Sequence, residues 1–303
     1  MTKTVRLNGR DNVVVAREAL EPGLGLDDPA VTVADAVPRG HKLAAEPIAA
    51  GAPIRKYDQI IGFAAADIAP GAHVHVHNCR MGDFARDYAI GADHRPTAFV
   101  EEAERASFKG FRRANGKVGT RNYIGILSSV NCSASVCKFI AQRFPKEELA
   151  LYPNVDGVVA LTHSTGCGMA DTGEGFDALQ RTLWGYARHP NFAGIVMIGL
   201  GCEVNQIDFL LEAYGITRGP LFRTMTLQGA GGTRKTLDKA VGLIREMLPY
   251  ADEARRETWP ASHLSLALQC GGSDAYSGIT ANPALGACAD LLVRHGGTAI
   301  LAE

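Results

Sequence analysis

Hydrophobic positions along this chain follow two regimes. Up to about residue 88 they form short β-branched runs: Asn12 to Ala16, Ala30 to Ala34, Ile60 to Phe63 and Ala72 to Val76. Pro22-Gly23, Pro38-Arg39-Gly40 and Pro70-Gly71 separate them, which predicts a small all-β module over residues 1–88. Residues 89–115 carry Gly91, Pro96 and the acidic run Glu101, Glu102, Glu104 without a sustained apolar period, the pattern of a mobile linker. From residue 116 onward apolar runs alternate with helical periodicity. Predicted strands Tyr123 to Val130, Gly157 to Leu161, Ala193 to Ile198 and Leu264 to Leu268 are each followed by a helical pattern: Ser135 to Phe144, Gly175 to Ala187, Ile207 to Tyr214 and Leu285 to Val293. A further helix is predicted over Thr236 to Met247. Strand and helix in alternation define an α/β fold with parallel strands, divided into a central domain over 116–248 and a last segment over 249–303.

Composition narrows the class. An apolar fraction of 46% and a charged fraction of 21% describe a globular chain with an ample core. A net charge of -1 argues against a nucleic-acid or anionic-membrane partner, and no apolar run has the length of a membrane helix. The opening MTKTVRLNGRDNVVV lacks a secretory apolar region, which leads to the expectation of a cytoplasmic location. Seven cysteines, an odd number, then point to thiols, ligands or nucleophiles rather than disulfides.

Four of those cysteines share one topological position. Cys132, Cys167, Cys202 and Cys270 each follow a predicted strand, and parallel strands end on one edge of their sheet. Any one of them is equally a small buried hydrophobe; together they can offer thiolates to a metal or cluster, with His163 and Glu203 as further ligands or bases. The spacing is not CxxC, so no standard zinc or ferredoxin pattern applies. Gln228-Gly229-Ala230-Gly231-Gly232-Thr233 precedes a helix but fits neither GxGxxG nor GK[ST], which leaves carboxylate binding at a helix N-terminus as its reading. Arg121 beside Asn122 is a candidate for carboxylate recognition. In the N-terminal module, His73, His75 and His77 alternate with Val74 and Val76, which predicts three imidazoles on one strand face. Such a face can bind metal, accept protons, hold a carboxylate, or simply face solvent.

The module resembles a SAF (β-clip) domain, closely so in Gly71 to Asn78. GFRRANGKVGTRNYIGILSSVNCSASV, LTHSTGCGM, IGLGCEVNQ and LQCGGSDAYSGITANPALGACADLLVRHGGTAILAE are similar to the altronate/galactarate dehydratase family. The resemblance implies a cytoplasmic hydro-lyase that converts a sugar acid to a 2-keto-3-deoxy acid. It also implies ferrous iron, mononuclear or as an iron–sulfur centre, and a homodimer formed through the central domain. The last domain would be Rossmann-like and incomplete at Glu303, since family members continue beyond it. On this reading His163, Asp274 and Glu203 are the catalytic candidates, and Cys167, Cys202 and Cys270 the metal thiolates. His75, His77, Asn78, Arg121, Asn122, Gln228 and Ser273 would contact the substrate. Two alternatives stand beside it: another carboxylate-substrate lyase, such as one eliminating sulfite from a sulfo-acid, and a non-catalytic sugar-acid-binding remnant.

Overall fold

The computed structural model describes residues 2–85, 89–92, 94–269, 271–272 and 276–302. They group into two compact units, one of Met1–Ala98 with Leu266–Arg294 and Ala299–Glu303, the other of Phe99–Ser265 with His295–Thr298.

The first unit is built on short antiparallel strands. β1 (Thr4–Val5), β2 (Val13–Ala16), β5 (Lys42–Ala44) and β8 (His73–Val74) form one sheet in the order β1-β2-β5-β8; β6 (Pro53–Lys56), β7 (Gln59–Ala64) and β9 (Cys79–Arg80) form a second, and β3 (Gly25–Asp27) with β4 (Ala30–Thr32) a hairpin. Two small apolar clusters fill it, one around Val14, Leu20, Val37 and Leu43, the other around Val13, Ile48, Ile54 and Val74. The closing strand differs from its sequence reading. β8 stops at Val74, and Val76 is 84% exposed rather than packed. The side chain of Asn78 explains the stop: its Oδ1 accepts from His75 N–H (3.0 Å), and its Nδ2 donates to His73 O (2.9 Å). An Asn that satisfies the backbone locally favours a turn over continued strand.

In the second unit the stretch read as a linker contributes β10 (Ser107–Arg112), which pairs with β11 (Val118–Gly119) and with β16 (Arg256–Pro260). Its central element is a parallel sheet of β12 (Tyr123–Ser128), β13 (Gly157–Leu161), β14 (Phe192–Gly199) and β15 (Phe222–Thr226), in the order β13-β12-β14-β15. Helices cover both faces. α1 (Asn131–Ala141) and α6 (Thr233–Asp252) bury Val136, Ile140, Ala240, Ile244 and Met247 against Ile124, Ile126, Val196 and Ile198. α3 (Glu174–Ala187) and α4 (Ile207–Tyr214) bury Leu179, Leu183, Leu210 and Leu211 against Leu127, Ile195 and Met197. Successive residues of β12 and β14 thus serve opposite faces, which is why these strands read as unbroken apolar runs. Short α2 (Lys146–Leu149) and α5 (Leu227–Ala230) lie in the connections.

One predicted strand falls outside this sheet. β17 (Ser265–Gln269) forms a separate two-stranded sheet with β18 (Thr298–Ala302), the two flanking α7 (Ala281–Arg294). The fourth parallel strand is instead β15. Its FRTMT sequence has only two strongly apolar residues, in keeping with a strand whose five residues are all only half-buried.

Candidate functional site

Chain direction within the parallel sheet marks a site. From β12 the chain moves through α1 to β13 on one side, whereas from β14 it moves through α4 to β15 on the other. The carboxyl ends of β12 and β14 therefore flank a topological switch point, where the two connections diverge and leave a crevice. Ser129 to Cys132 follow one strand and Leu200 to Glu203 the other.

Glu203 fills the base of that crevice. It is 2% exposed; its Oε1 accepts from Ser129 Oγ (2.8 Å) and Leu200 N–H (3.2 Å), and its Oε2 from Gly201 N–H (2.5 Å). A buried carboxylate demands such donors, because an unpartnered one would lose its hydration without compensation. Gly199 makes room for it: a Cβ there would lie 2.2 Å from Glu203 Oε1 and 2.8 Å from Ser129 Oγ. Asn205, also fully buried, donates from Nδ2 to Ser129 O (2.9 Å). Ser129 and Asn205 were not singled out by sequence reasoning. Their only sequence signal is the placement of small polar residues at the ends of apolar runs.

His163 is braced in the same way. Its Nε2 lies 2.9 Å from Ser128 O and its Nδ1 accepts from Thr165 N–H (3.3 Å), so the neutral ring donates from Nε2 and both nitrogens serve the backbone. Burial holds its pKa below the ordinary histidine value. The loop after it closes on the first strand end. Gly166 takes φ +97° with its Cα side against Ser129 O, and Asn131 N–H donates to Thr165 O (2.8 Å). This docking sets the exposed Cys167 beside the exposed Cys132 in the first turn of α1. The hydrogen bond between these thiols, and then the mutual proximity of their charges, pushes Cys167 above its usual thiol pKa. Across the crevice, Gln228 Nε2 donates to the exposed Cys202 Sγ (3.4 Å). A cleft of about 240 Å³ opens beside Gly201 and Glu203. A larger one, about 480 Å³, lies at the opposite edge by Lys117, His189 and His263, away from this group.

The structure thus gathers His163, Glu203, Cys132, Cys167, Cys202 and Gln228 at one sheet edge. Arg121 and Asn122 lie elsewhere, because they precede β12 and belong to its amino end. Asn122 is completely buried and donates from Nδ2 to Asn154 O (2.7 Å) and Ala251 O (2.8 Å), a fixed structural contact where a substrate contact was expected. The strand that leads to Cys270 is in another sheet, and Cys132, Cys167 and Cys202 follow strands of this one. Cys270, Ser273 and Asp274 themselves lie outside the described residues. Among the described residues no three His, Cys, Asp or Glu side chains are placed to hold a metal ion, and both Glu203 oxygens already have donors. The described part of the site therefore does not by itself fit iron.

A second group sits in the first unit. His73 and His75 join His77 and an unforeseen fourth imidazole, His41, at ring-centre separations of 5.0–5.5 Å. The turn made by Asn78, rather than strand alternation, brings His75 and His77 round to His73. Asn78 shapes that turn through its two backbone bonds.

Comparison with known proteins covers both regions of the chain. Residues 2–82 match the altronate/galactarate dehydratase SAF domain, residues 110–252 the D-galactarate dehydratase/altronate hydrolase second domain, and residues 261–303 the D-galactarate/altronate dehydratase C-terminal region. Altronate dehydratase of Bacillus subtilis (strain 168) is 35% identical over 308 residues, which covers 100% of this chain and 60% of the relative. Galactarate dehydratase (L-threo-forming) of Escherichia coli (strain K12) is 34% identical over 312 residues, 99% of this chain and 58% of the relative. (2R)-Sulfolactate sulfo-lyase subunit beta of Chromohalobacter salexigens is 31% identical over 202 residues, 67% of this chain and 48% of the relative. The chain spans less than two-thirds of the length of each of these relatives. With its SAF domain, second domain and the start of the C-terminal region in order, the chain belongs to the altronate/galactarate dehydratase family.

Proposed function

We propose that the chain works as a sugar-acid dehydratase, a hydro-lyase that removes a proton α to a carboxylate and expels the β-hydroxyl to give a 2-keto-3-deoxy acid. The ordered match to all three family regions carries this reading. Altronate and galactarate are the first substrates to try, because the relatives bear those names.

The demanding species in such a reaction is the enediolate, whose charge needs fixed donors or a cation. At the switch point, Glu203 holds the Leu200–Gly201 turn so that Cys202 meets Gln228, and in this proposal the Gln228 amide and the first turn of α1 at the same sheet edge receive carboxylate and hydroxyl groups. His163 and Glu203 have their acid–base atoms engaged by neighbouring donors and acceptors. They position the loops in this proposal, and the proton-accepting role passes to Asp274, with Ser273 beside it. His75 and His77 contact the substrate from the SAF domain. Ferrous iron, mononuclear or clustered, would supply positive charge, with Cys167, Cys202 and Cys270 as its thiol candidates; no step above depends on it. Homodimerisation through the second domain, a cytoplasmic location and a Rossmann-like C-terminal domain beginning near residue 261 complete the proposal.

An anaerobic assay with added ferrous iron tests it, run on this 303-residue chain and on a form extended to the relatives' length. A 2-keto-3-deoxy product from altronate or galactarate supports it; no product from any sugar acid in the extended form refutes it. The sulfo-lyase relative favours one competing reading, sulfite elimination from a sulfo-acid, and sulfite release in the same assay would select that instead.

A further inference from the structure

The four imidazoles of the SAF domain are more than a row of exposed side chains. His41 Nδ1 lies 3.0 Å from His73 Nε2, so one ring donates a single shared proton to the other. His75 stacks on His41 at 5.0 Å and lies 5.5 Å from His73, and His77 is 5.5 Å from His73. His41 and His73 are half-buried, and His75 and His77 are exposed, so the group has a closed base and an open mouth. Its surroundings are short of negative charge. Lys42 adjoins it; Lys56 lies near Lys42 and feels the Asp11 carboxylate, and among the described residues neither lysine forms an ion pair. Among the described residues Asp35 is the one carboxylate acting on the cluster, and its Oδ2 already accepts from the His73 backbone N–H (3.1 Å). The remaining titratable neighbour is the Cys79 thiol, which burial keeps protonated.

We propose that His41, His73 and His75, with Lys42, form a carboxylate-binding site that takes up a proton together with the anion. The identity of the anion as a sugar acid rests on the dehydratase reading above; the site itself rests on the cluster. The physical reason is a charge balance. Burial and then mutual repulsion hold His41 and His73 below the ordinary histidine value, so the empty site carries neutral, paired rings at neutral pH. A carboxylate at the mouth offsets the repulsion and lets the neutral pair accept one further proton, so that each ring donates outward as well as sharing the proton between them. Nothing is consumed but one proton from solvent. Tyr276 gives the site an anchored neighbour. Its hydroxyl donates to Ala16 O (3.0 Å) or Arg17 O (2.9 Å) and accepts from Arg39 Nε (3.1 Å), while Ala16 N–H donates to His41 O (2.9 Å). The segment from Tyr276 is thus fastened to the same strand pair that carries His41.

Calorimetry of the intact chain with galactarate and with altronate, in buffers of different ionisation heat, tests this. The expected result is uptake of about one proton per anion at pH 7.5 and a Kd that weakens about tenfold for each pH unit above 6.5. Galactitol, which keeps the hydroxyls and lacks carboxylates, should not bind. His73→Ala and Lys42→Met should each weaken binding at least tenfold, with proton uptake lost in the histidine variant. Side-chain imidazole NMR of the unaltered chain needs no variant to fold: His41 and His73 resonances should move with galactarate or altronate and not with galactitol. Silent imidazoles, binding without proton uptake, or shifts abolished by a chelator and restored by zinc would overturn an anion site, the last in favour of a metal. Turnover with silent imidazoles would sink this inference alone; moving imidazoles without turnover in the extended form would sink the dehydratase reading alone.

Discussion

Replacing Glu203 probes whether the switch point is held by one buried carboxylate. Glu203→Ala removes the acceptor for Ser129 Oγ, Leu200 N–H and Gly201 N–H together. Ser129 is 0% exposed, so its hydroxyl would be left without water, at about 1–3 kcal/mol. The two amides lie nearer the surface, where water can replace the lost bonds, and add roughly 0.5–1 kcal/mol each. The sum is about 3 kcal/mol. Glu203→Gln keeps the shape but opposes an NH2 group to one of the donors, and should cost about 2 kcal/mol. Urea unfolding of the two variants, with a double-mutant cycle against Ser129→Ala, measures this; a coupling of about 1–2 kcal/mol is expected. Loss below about 0.5 kcal/mol in both Glu203 variants, or a strictly additive cycle, would show that the carboxylate does not hold the turn.

Asn122→Ala should destabilise the chain by about 2–3 kcal/mol, because the buried carbonyl of Ala251 and the half-buried carbonyl of Asn154 lose their donor, while KM for a sugar acid stays unchanged. Denaturation and kinetics on the same preparation separate these effects, and a KM change without a stability loss would return Asn122 to the substrate. Stability should also depend on pH through four histidines. Burial holds His163, His189, His41 and His73 below 6.5 in the folded chain, so the unfolded chain binds their protons first on acidification. Their contribution is complete above about pH 6.5 and is lost as pH falls through the folded values. Urea midpoints that fall between pH 7.5 and 5, with a smaller fall in His163→Gln, are the expected pattern; an equal fall in the variant removes His163 from the account. If Cys202 is an iron thiolate, Cys202→Ser should lower the iron content of anaerobically prepared protein, and unchanged iron would exclude it.

Much of this molecule was legible before any fold was known. Apolar runs of β12 and β14 announced strands buried on both faces, since such strands cannot afford polar alternation. Cys132, Cys167 and Cys202 could be placed at one edge because strand direction in a parallel sheet fixes where every strand ends. Sequence period also separated the β-rich first module from the α/β region that follows.

Pairing and burial decided the rest. Strand β17 has the same apolar character as β12 but joins β18, because periodicity specifies a strand and not its partner. Glu203 and His163 look like catalytic groups in sequence; only three dimensions reveal that their oxygens and nitrogens are already bound. Asn122 precedes a strand, so its chain position placed it at the amino edge, yet its burial between Asn154 and Ala251 depends on residues that lie far along the chain. The imidazole cluster makes the same point from the other side. His73, His75 and His77 stand together in the sequence, but His41 is more than thirty residues away and arrives only because β5 pairs with β8. Local sequence fixes what a residue can do; the partner that occupies or frees its polar atoms is a property of the tertiary fold.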